Sequence, residues 1–341
     1  MSTEPPRIAA AKAIQRRTGR TFHLATRLLP ERARLPTYAL YAFFRVADEV
    51  VDDPDPSSVA DQRRRLAAVR AEALGEREPS GEALEAFAHV REAYDLDDRE
   101  IEVFMDAMER DLEQDRYETS DDLEGYLRGS SVAVANLLLD VFAPELREAA
   151  RPHAAALAEA FQLTNFLRDV REDVVEYDRI YLPRETLQRH GVDHADVESL
   201  RFSNALAEAI REELERTETL YREGVAGIRY LPEDVQFGVL LAAVLYAEHH
   251  RLIRRRGYDV LSETPSLSTS RRLVLAAQTW VHWWRSRDPE TVFAAVSAVP
   301  SESTEARRDE TAAAGTSGGD SSQPAGRIVG GLRSLLGMGS E

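Results

Sequence analysis

Two pairs of aspartates carry the first chemical signal. Asp48 and Asp52 are four residues apart, as are Asp169 and Asp173. On a helix this spacing projects both carboxylates of a pair from one face. Arg45 lies three residues before Asp48 and Tyr41 four before Arg45, giving a polar stripe within the apolar set Ala42, Phe43, Phe44, Val46, Val50 and Val51. Gln162 and Asn165 extend the second stripe, since Gln162, Asn165, Asp169 and Asp173 fall at i, i+3, i+7 and i+11. Carboxylates on helices with apolar flanks need a partner. Hard divalent cations suit them: Mg²⁺ takes oxygen ligands, keeps waters, and is held by one or two carboxylates with substrate phosphate oxygens. One such pair in an acidic chain is weak evidence, and Asp111 with Asp115 reads as a solvated face. Two pairs within apolar helices are harder to produce by accident, but spacing alone leaves a diphosphate–Mg²⁺ site and solvated faces both open.

The elements that position these residues read as helices from about Ala9 to Arg287. Apolar residues recur at three- and four-residue intervals, and runs such as Asp61–Leu74, Ala205–Tyr221 and Pro232–Arg256 show no period-two alternation. Breakers fall between the periodic runs, at Pro54-Asp55-Pro56, Glu78–Gly81, Pro144, Pro183, Pro232 and Pro265. No repeat and no strand followed by a glycine-rich turn is evident. The expected fold is all-α with one core, a single helical domain over residues 1–295. Residues 296–341 read as a disordered tail, because Ser301–Gly326 lacks large apolar side chains. Near its end Ile328, Val329, Leu332, Leu335 and Leu336 would share a helix face beside Arg327 and Arg333, either a weak interfacial anchor or a frayed end.

Composition excludes several classes. The chain has 341 residues, 43% apolar and 30% charged, with a net charge of −17 and no cysteine. Disulfides, thiolate metal sites and cysteine nucleophiles are excluded, and the acidic balance argues against a general nucleic-acid binder. The first residues lack a signal-peptide core, and the longest apolar run, Phe237–Ala247, is too short to cross a bilayer. A cytoplasmic protein is expected, at most peripheral on a membrane. Lys12 is the only lysine among 43 basic residues, which fits either a protein adapted to high salt or a GC-rich genome.

Six collinear segments resemble the head-to-head trans-isoprenyl diphosphate synthases, the phytoene and squalene synthases. They are Arg20–Pro30 (RTFHLATRLLP), Tyr38–Asp53 (YALYAFFRVADEVVDD), Met108–Tyr117 (MERDLEQDRY), Gln162–Asp173 (QLTNFLRDVRED), Arg179–Pro183 (RIYLP) and Gly257–Leu261 (GYDVL). The resemblance covers about residues 15–285 and is closest to the prokaryotic phytoene synthases. It implies an isoprenoid-synthase-type helical bundle around a central cavity. Asp48, Asp52, Asp169 and Asp173 would hold Mg²⁺, with Mn²⁺ an alternative. Arg20, Thr21, Arg45 and Arg271 (or Arg272) would contact substrate diphosphate, and Tyr41, Tyr126, Gln162, Asn165 and Tyr246 would line the reaction centre. The implied reaction joins two geranylgeranyl diphosphates to phytoene through a cyclopropylcarbinyl diphosphate. The alternative is squalene or dehydrosqualene from two C15 diphosphates, and NADPH would be needed only for squalene. A non-catalytic scaffold relative would have lost the aspartate pairs or Arg45, and this chain keeps them. Departures from the family pattern are Thr18-Gly19 and His23 in the first segment and Gly129–Ala135 (GSSVAVA) after Tyr126.

Lesser signals read blandly. His249-His250 is expected at a solvated helix end, since adjacent helical residues diverge by about 100°. Trp280, Trp283 and Trp284 are expected in core or cavity wall rather than in a membrane belt. Arg63–Arg65 and Arg254–Arg256 read as exposed faces, either of which could touch an anionic membrane. Phe22, Phe43, Phe44, Phe161 and Phe166 are candidates for lining a cavity.

Overall fold

The structure, a computed structural model, describes residues 24–53 and 58–300. Thirteen α-helices run between Glu31 and Val296: α1 (Glu31–Val51), α2 (Val59–Ala73), α3 (Glu82–Tyr94), α4 (Asp98–Arg110), α5 (Ser120–Leu127), α6 (Ala133–Phe142), α7 (Arg147–Tyr177), α8 (Arg184–Arg189), α9 (His194–Glu198), α10 (Asn204–Ala226), α11 (Glu233–Arg255), α12 (Thr269–Ser286) and α13 (Pro289–Val296). Among the described residues there is no strand, and one parallel bridge joins Arg116 to Ile180. The all-α fold expected from the periodicity is the fold observed.

Local chemistry sets the helix starts. Ser58, Asp97, Thr119, Asp193, Ser203, Ser268 and Asp288 each accept a first-turn amide at their helix N-terminus. Prolines occur inside two long helices without ending them, Pro36 in α1 and Pro152 in α7. Pro36 cannot donate to the carbonyl of Arg32, and the Tyr94 hydroxyl donates to that oxygen instead at 2.8 Å. At the other end of α1, Gln62 donates to the carbonyls of Val50 (2.9 Å) and Val51 (3.2 Å), fixing the turn on which Asp52 stands.

Between α5 and α6 the chain widens into one π-helical turn, Arg128–Val132. A Cβ at Gly129 would lie 2.5 Å from Ala107 Cβ and 2.7 Å from the Val103 carbonyl, so this turn packs on α4 backbone to backbone. Buried apolar side chains form three clusters rather than the one core expected. The first centres on Phe43, stacked on Phe87 with ring centroids 4.1 Å apart. The second joins α7, α10, α11, α12 and α13, and the third packs α8–α10 under Leu167 and Val170.

The histidine pair is a correction to the sequence reading. His249 and His250 are both buried. His250 Nε2 lies 2.9 Å from Thr164 Oγ1, its Nδ1 lies 3.0 Å from Glu218 Oε1, and Tyr221 and Arg254 complete the network. Helices α7, α10 and α11 are thereby pinned at one buried point, and Arg254 is drawn off the exposed face expected for it. Neighbouring Arg255 and Arg256 are exposed, as are Arg63–Arg65. The tryptophans also divide: Trp283 is buried, whereas Trp280 and Trp284 are exposed. Only the first meets the core expectation. The segments calling for Arg20, Thr21, Phe22, His23 and the 301–341 tail lie outside the described residues.

Candidate active site

A cavity of about 1050 Å³ opens between α1, the π-turn with α6, α7, the end of α10 and α11. Helix α7 supplies its long wall, from Ala150 to Glu172, which is about 33 Å of helix at 1.5 Å per residue. Along that wall the chemistry changes. Ala150, Ala154, Leu157, Ala158 and Phe161 give way to Gln162, Asn165, Arg168 and Glu172. Opposite the polar stretch, α1 contributes Tyr41, Phe44, Arg45 and Asp48, and α11 contributes Tyr246. Tyr41, Arg45 and Asp48 of the first stripe and Gln162 and Asn165 of the second thus face one greasy hollow with a charged end.

The charged end is organised around guanidinium–carboxylate contacts. Arg45 Nη1 donates to Asp48 Oδ2 at 3.1 Å, and Arg168 holds both oxygens of Asp169 through its Nε and Nη2. Arg179 donates to Asp52 Oδ1 at 3.0 Å and to the Asp111 carbonyl at 3.3 Å. Burial opposes the charge on Arg179, yet Tyr181, Asp111 and Asp52 around it raise its pKa. The turn after α7 explains how this side chain reaches the site. Asp178 adopts the left-handed conformation (φ 53°), and Arg116 donates to its carbonyl and carboxylate. The next segment pairs with 115–117, Ile180 N donating to the Asp115 carbonyl at 2.9 Å. Chain reversal at Asp178 therefore delivers Arg179 beside Asp52 and Asp111.

The carboxylates outweigh these cations. Burial, with Asp52 adding repulsion against the pull of Arg45, pushes Asp48 up to about 6. Burial and then the neighbouring Asp169 and Glu172 push Asp173 up to about 8. Asp111 is pushed up to about 7, again chiefly by burial. Tyr126 donates to Asp111 Oδ2 at 2.6 Å, while Oδ1 has no hydrogen-bond partner among the described residues. Such a surplus of desolvated hard oxygen donors is what a divalent cation relieves. Among the described residues no three His, Asp or Glu side chains converge on one point. Pairs on separate helices match Mg²⁺, which takes one or two carboxylates and completes its shell with water and phosphate.

Tyr41, Arg45, Asp48, Gln162, Asn165 and Tyr246 line the cavity, as do Phe44 and Phe161. Asp52, Asp169 and Asp173 are not among the lining residues: Asp169 is held by the lining Arg168, Asp52 by Arg179, and Asp173 neighbours Asp169 and Glu172. Tyr126 lies beneath that end in an aromatic stack with Tyr117, Tyr181 and Phe166, and Phe43 is core. Arg271 is not in the cavity wall: it is bound to Glu248 at 2.8 and 3.2 Å. Three residues escaped the sequence reading. Arg168 adjoins Asp169, and Arg179 opens a quoted segment, so both were within reach. Asp111 was read as a solvated face, and only its tertiary neighbours reveal its burial.

A bundle whose central cavity joins a long apolar wall to an array of arginines and aspartates defines a class, the helical prenyl synthases. The family model for squalene/phytoene synthase matches residues 15–273. The chain is 31% identical to phytoene synthase of Rhodobacter capsulatus over 277 residues, covering 77% of this chain and 78% of that protein. It is also 31% identical to phytoene synthase of Thermus thermophilus over 284 residues, covering 82% and 94%. A dehydrosqualene synthase crystal structure with bound ligand superposes with a TM-score of 0.74 at 25% identity, covering 82% and 97%. The chain belongs to the squalene/phytoene synthase family. It is a prenyltransferase of the phytoene synthase type.

Proposed function

We propose that this enzyme joins two geranylgeranyl diphosphates head to head to make phytoene, releasing two pyrophosphates. The observation that carries the reading is one continuous cavity of about 1050 Å³, apolar along α7 and charged at one end. Pockets for a single drug-sized ligand span roughly 300–1,000 Å³, and this one lies at the top of that range with a wall long enough for an extended prenyl chain. In the first half-reaction one allylic diphosphate ionises and its C1 bonds to the C2=C3 double bond of the other. Loss of a proton gives the cyclopropylcarbinyl diphosphate. In the second, that diphosphate leaves, the ring rearranges to a 1-1′ link, and loss of a proton forms the central double bond. Without a reductant the product is phytoene.

Asp48, Asp52, Asp169 and Asp173 would hold the divalent ions, whose chemistry is Lewis-acid stabilisation of departing pyrophosphate. Arg45, Arg168 and Arg179 add fixed positive charge at the same end. Tyr41, Phe44, Phe161 and Tyr246 offer ring faces to the allyl cation, and the apolar wall keeps water from it. Phe161 and Tyr246 stack with centroids 4.6 Å apart, forming one such surface. A membrane-peripheral setting suits a hydrocarbon product, and no helix among the described residues is long and apolar enough to cross a bilayer.

Incubation with labelled C20 or C15 diphosphate and Mg²⁺, with and without NADPH, tests the proposal. Phytoene from the C20 substrate without NADPH is the expected result. Turnover confined to the C15 substrate would replace it with dehydrosqualene or squalene synthesis, the reading favoured by the dehydrosqualene synthase neighbour. No pyrophosphate from either would leave a non-catalytic relative.

A further inference from the structure

Helix α12 turns one side to the protein and one side outward. Leu275, Thr279 and Trp283 are buried against the bundle, with Trp283 near Phe237 of α11. On the outer side Leu273 is 59% exposed, Val274 47%, Trp280 59% and Trp284 70%. From Leu273 to Trp284 this stripe is about 17 Å long. It comprises four of the large apolar side chains most exposed in the described chain, and two of them are tryptophan. Monomeric proteins rarely leave such a run in water without a use.

Charge indicates the occupant. The chain carries 60 Asp+Glu in 341 residues, yet residues 264–287 contain none and carry Arg271, Arg272, Arg285 and Arg287. Arg285 and Arg287 are exposed at the C-terminal end of the stripe, the Arg287 guanidinium lying 5.7 Å from the centroid of the Trp283 ring. Tryptophan side chains favour the bilayer interface, where an apolar ring body and a polar N–H are both satisfied. Cations at the rim add attraction to anionic headgroups. A two-fold contact between copies would bring this same cationic surface against itself, which disfavours a second copy.

We propose that the outer face of α12 is a docking surface for an anionic lipid bilayer, on which the helix lies flat with Trp280 and Trp284 inserted and Arg285 and Arg287 at the headgroups. The site lies one helix away from the cavity, because α11 presents Gly238, Val239, Ala242 and Tyr246 to that cavity. The inference requires nothing about substrate, and its test contains none.

All three tryptophans of the chain lie on α12, so intrinsic fluorescence of the full-length protein reports on this helix. With vesicles of equimolar phosphatidylglycerol and brominated phosphatidylcholine, emission should be quenched and the protein should sediment with the lipid. Trp280→Ser with Trp284→Ser should lower partitioning at least ten-fold without changing the far-UV circular dichroism. Trp280→Phe with Trp284→Phe should keep binding but lose quenching, since Trp283 is buried. Arg285→Gln with Arg287→Gln should weaken binding to the anionic vesicles by about five-fold per arginine. The proposal is overturned if vesicles neither bind nor quench, or if the double serine variant binds as wild type does. A dimer that forms without lipid and disappears in that variant would also overturn it, by giving the face to a second copy.

Discussion

Asp48 lines the cavity from α1 and Asp169 adjoins the lining Arg168 on α7, each already paired with an arginine, at Arg45 and Arg168. Removing either carboxylate leaves a half-buried guanidinium without its partner and one fewer oxygen donor for a cation. Asp48→Ala or Asp169→Ala should lower kcat by about 10²–10³, while circular dichroism stays helical; wild-type pyrophosphate release in both would refute their role. Asp111 separates stability from activity. Its carboxyl is half satisfied and held up by burial, so Asp111→Asn keeps a partner for Tyr126 and removes a desolvated charge. This variant should gain roughly 1 kcal/mol of stability and lose turnover. Thermal denaturation and a pyrophosphate-release assay read the two effects, and unchanged values in both would make Asp111 a bystander. Local spacing exposed the aspartate pairs because a four-residue step is a property of one helix. Asp111 was illegible for the converse reason: its neighbours Tyr126 and Arg179 come from distant segments, and an acidic residue at a helix end looks the same whether it meets water or protein.

At the scale of elements, the helices were legible wherever apolar period and capping residues agreed, as in α10 behind Ser203 and α12 behind Ser268. Pro36 and Pro152 would have broken helices on local rules. For α1 the reason it continues is tertiary, since Tyr94 takes the carbonyl that the proline leaves. The turn at Asp178 was equally hidden, and it positions Arg179. Arg116 clamps that turn to Glu198 as well as to Asp178, so Arg116→Ala should cost about ten- to a hundred-fold in kcat through misplacement of Arg179. A kcat equal to wild type would show that the turn holds without the clamp. The helix junction at His249 and His250 gives a pH signature. Burial, then the charge of Arg168 with lesser repulsion from His250 and Arg272, lowers His249 to about 3 despite the Tyr246 carbonyl. An unfolded histidine titrates near 6.5. Below that pH the unfolded chain binds a proton that the folded chain excludes, so stability is lost as pH falls. Between pH 7.5 and 5 the wild type should lose about 2 kcal/mol more than His249→Gln, measured by urea unfolding at each pH; equal losses would mean the folded ring takes up its proton over the same range as the unfolded one.

The whole molecule is a polyanion whose cations are almost all arginine, with a net charge of −17. Contact pairs such as Arg70–Asp106 at 2.6 Å and Arg63–Glu113 at 2.6 Å are largely exposed, and exposed pairs contribute only about 0–1 kcal/mol each. Long-range repulsion among the surplus carboxylates acts over the Debye length, which shrinks from about 10 Å at 0.1 M salt to 3 Å at 1 M. Raising salt therefore removes more repulsion than attraction, and we propose that the fold and its activity depend on molar KCl. Both should rise between 0.1 and 2 M KCl. Neutralising exposed acids that make no ion pair among the described residues, by Glu76→Gln, Glu78→Gln and Glu102→Gln together, should flatten that rise. Replacing Arg63, Arg64 and Arg65 by lysine preserves charge and should leave it intact. These two sets separate the causes of the composition. If repulsion among the surplus carboxylates carries no cost, stability would be level across the KCl series and neither set would alter it. If charge was selected, only the glutamate set responds, because the physical variable is the number of unscreened carboxylates rather than the identity of the cation.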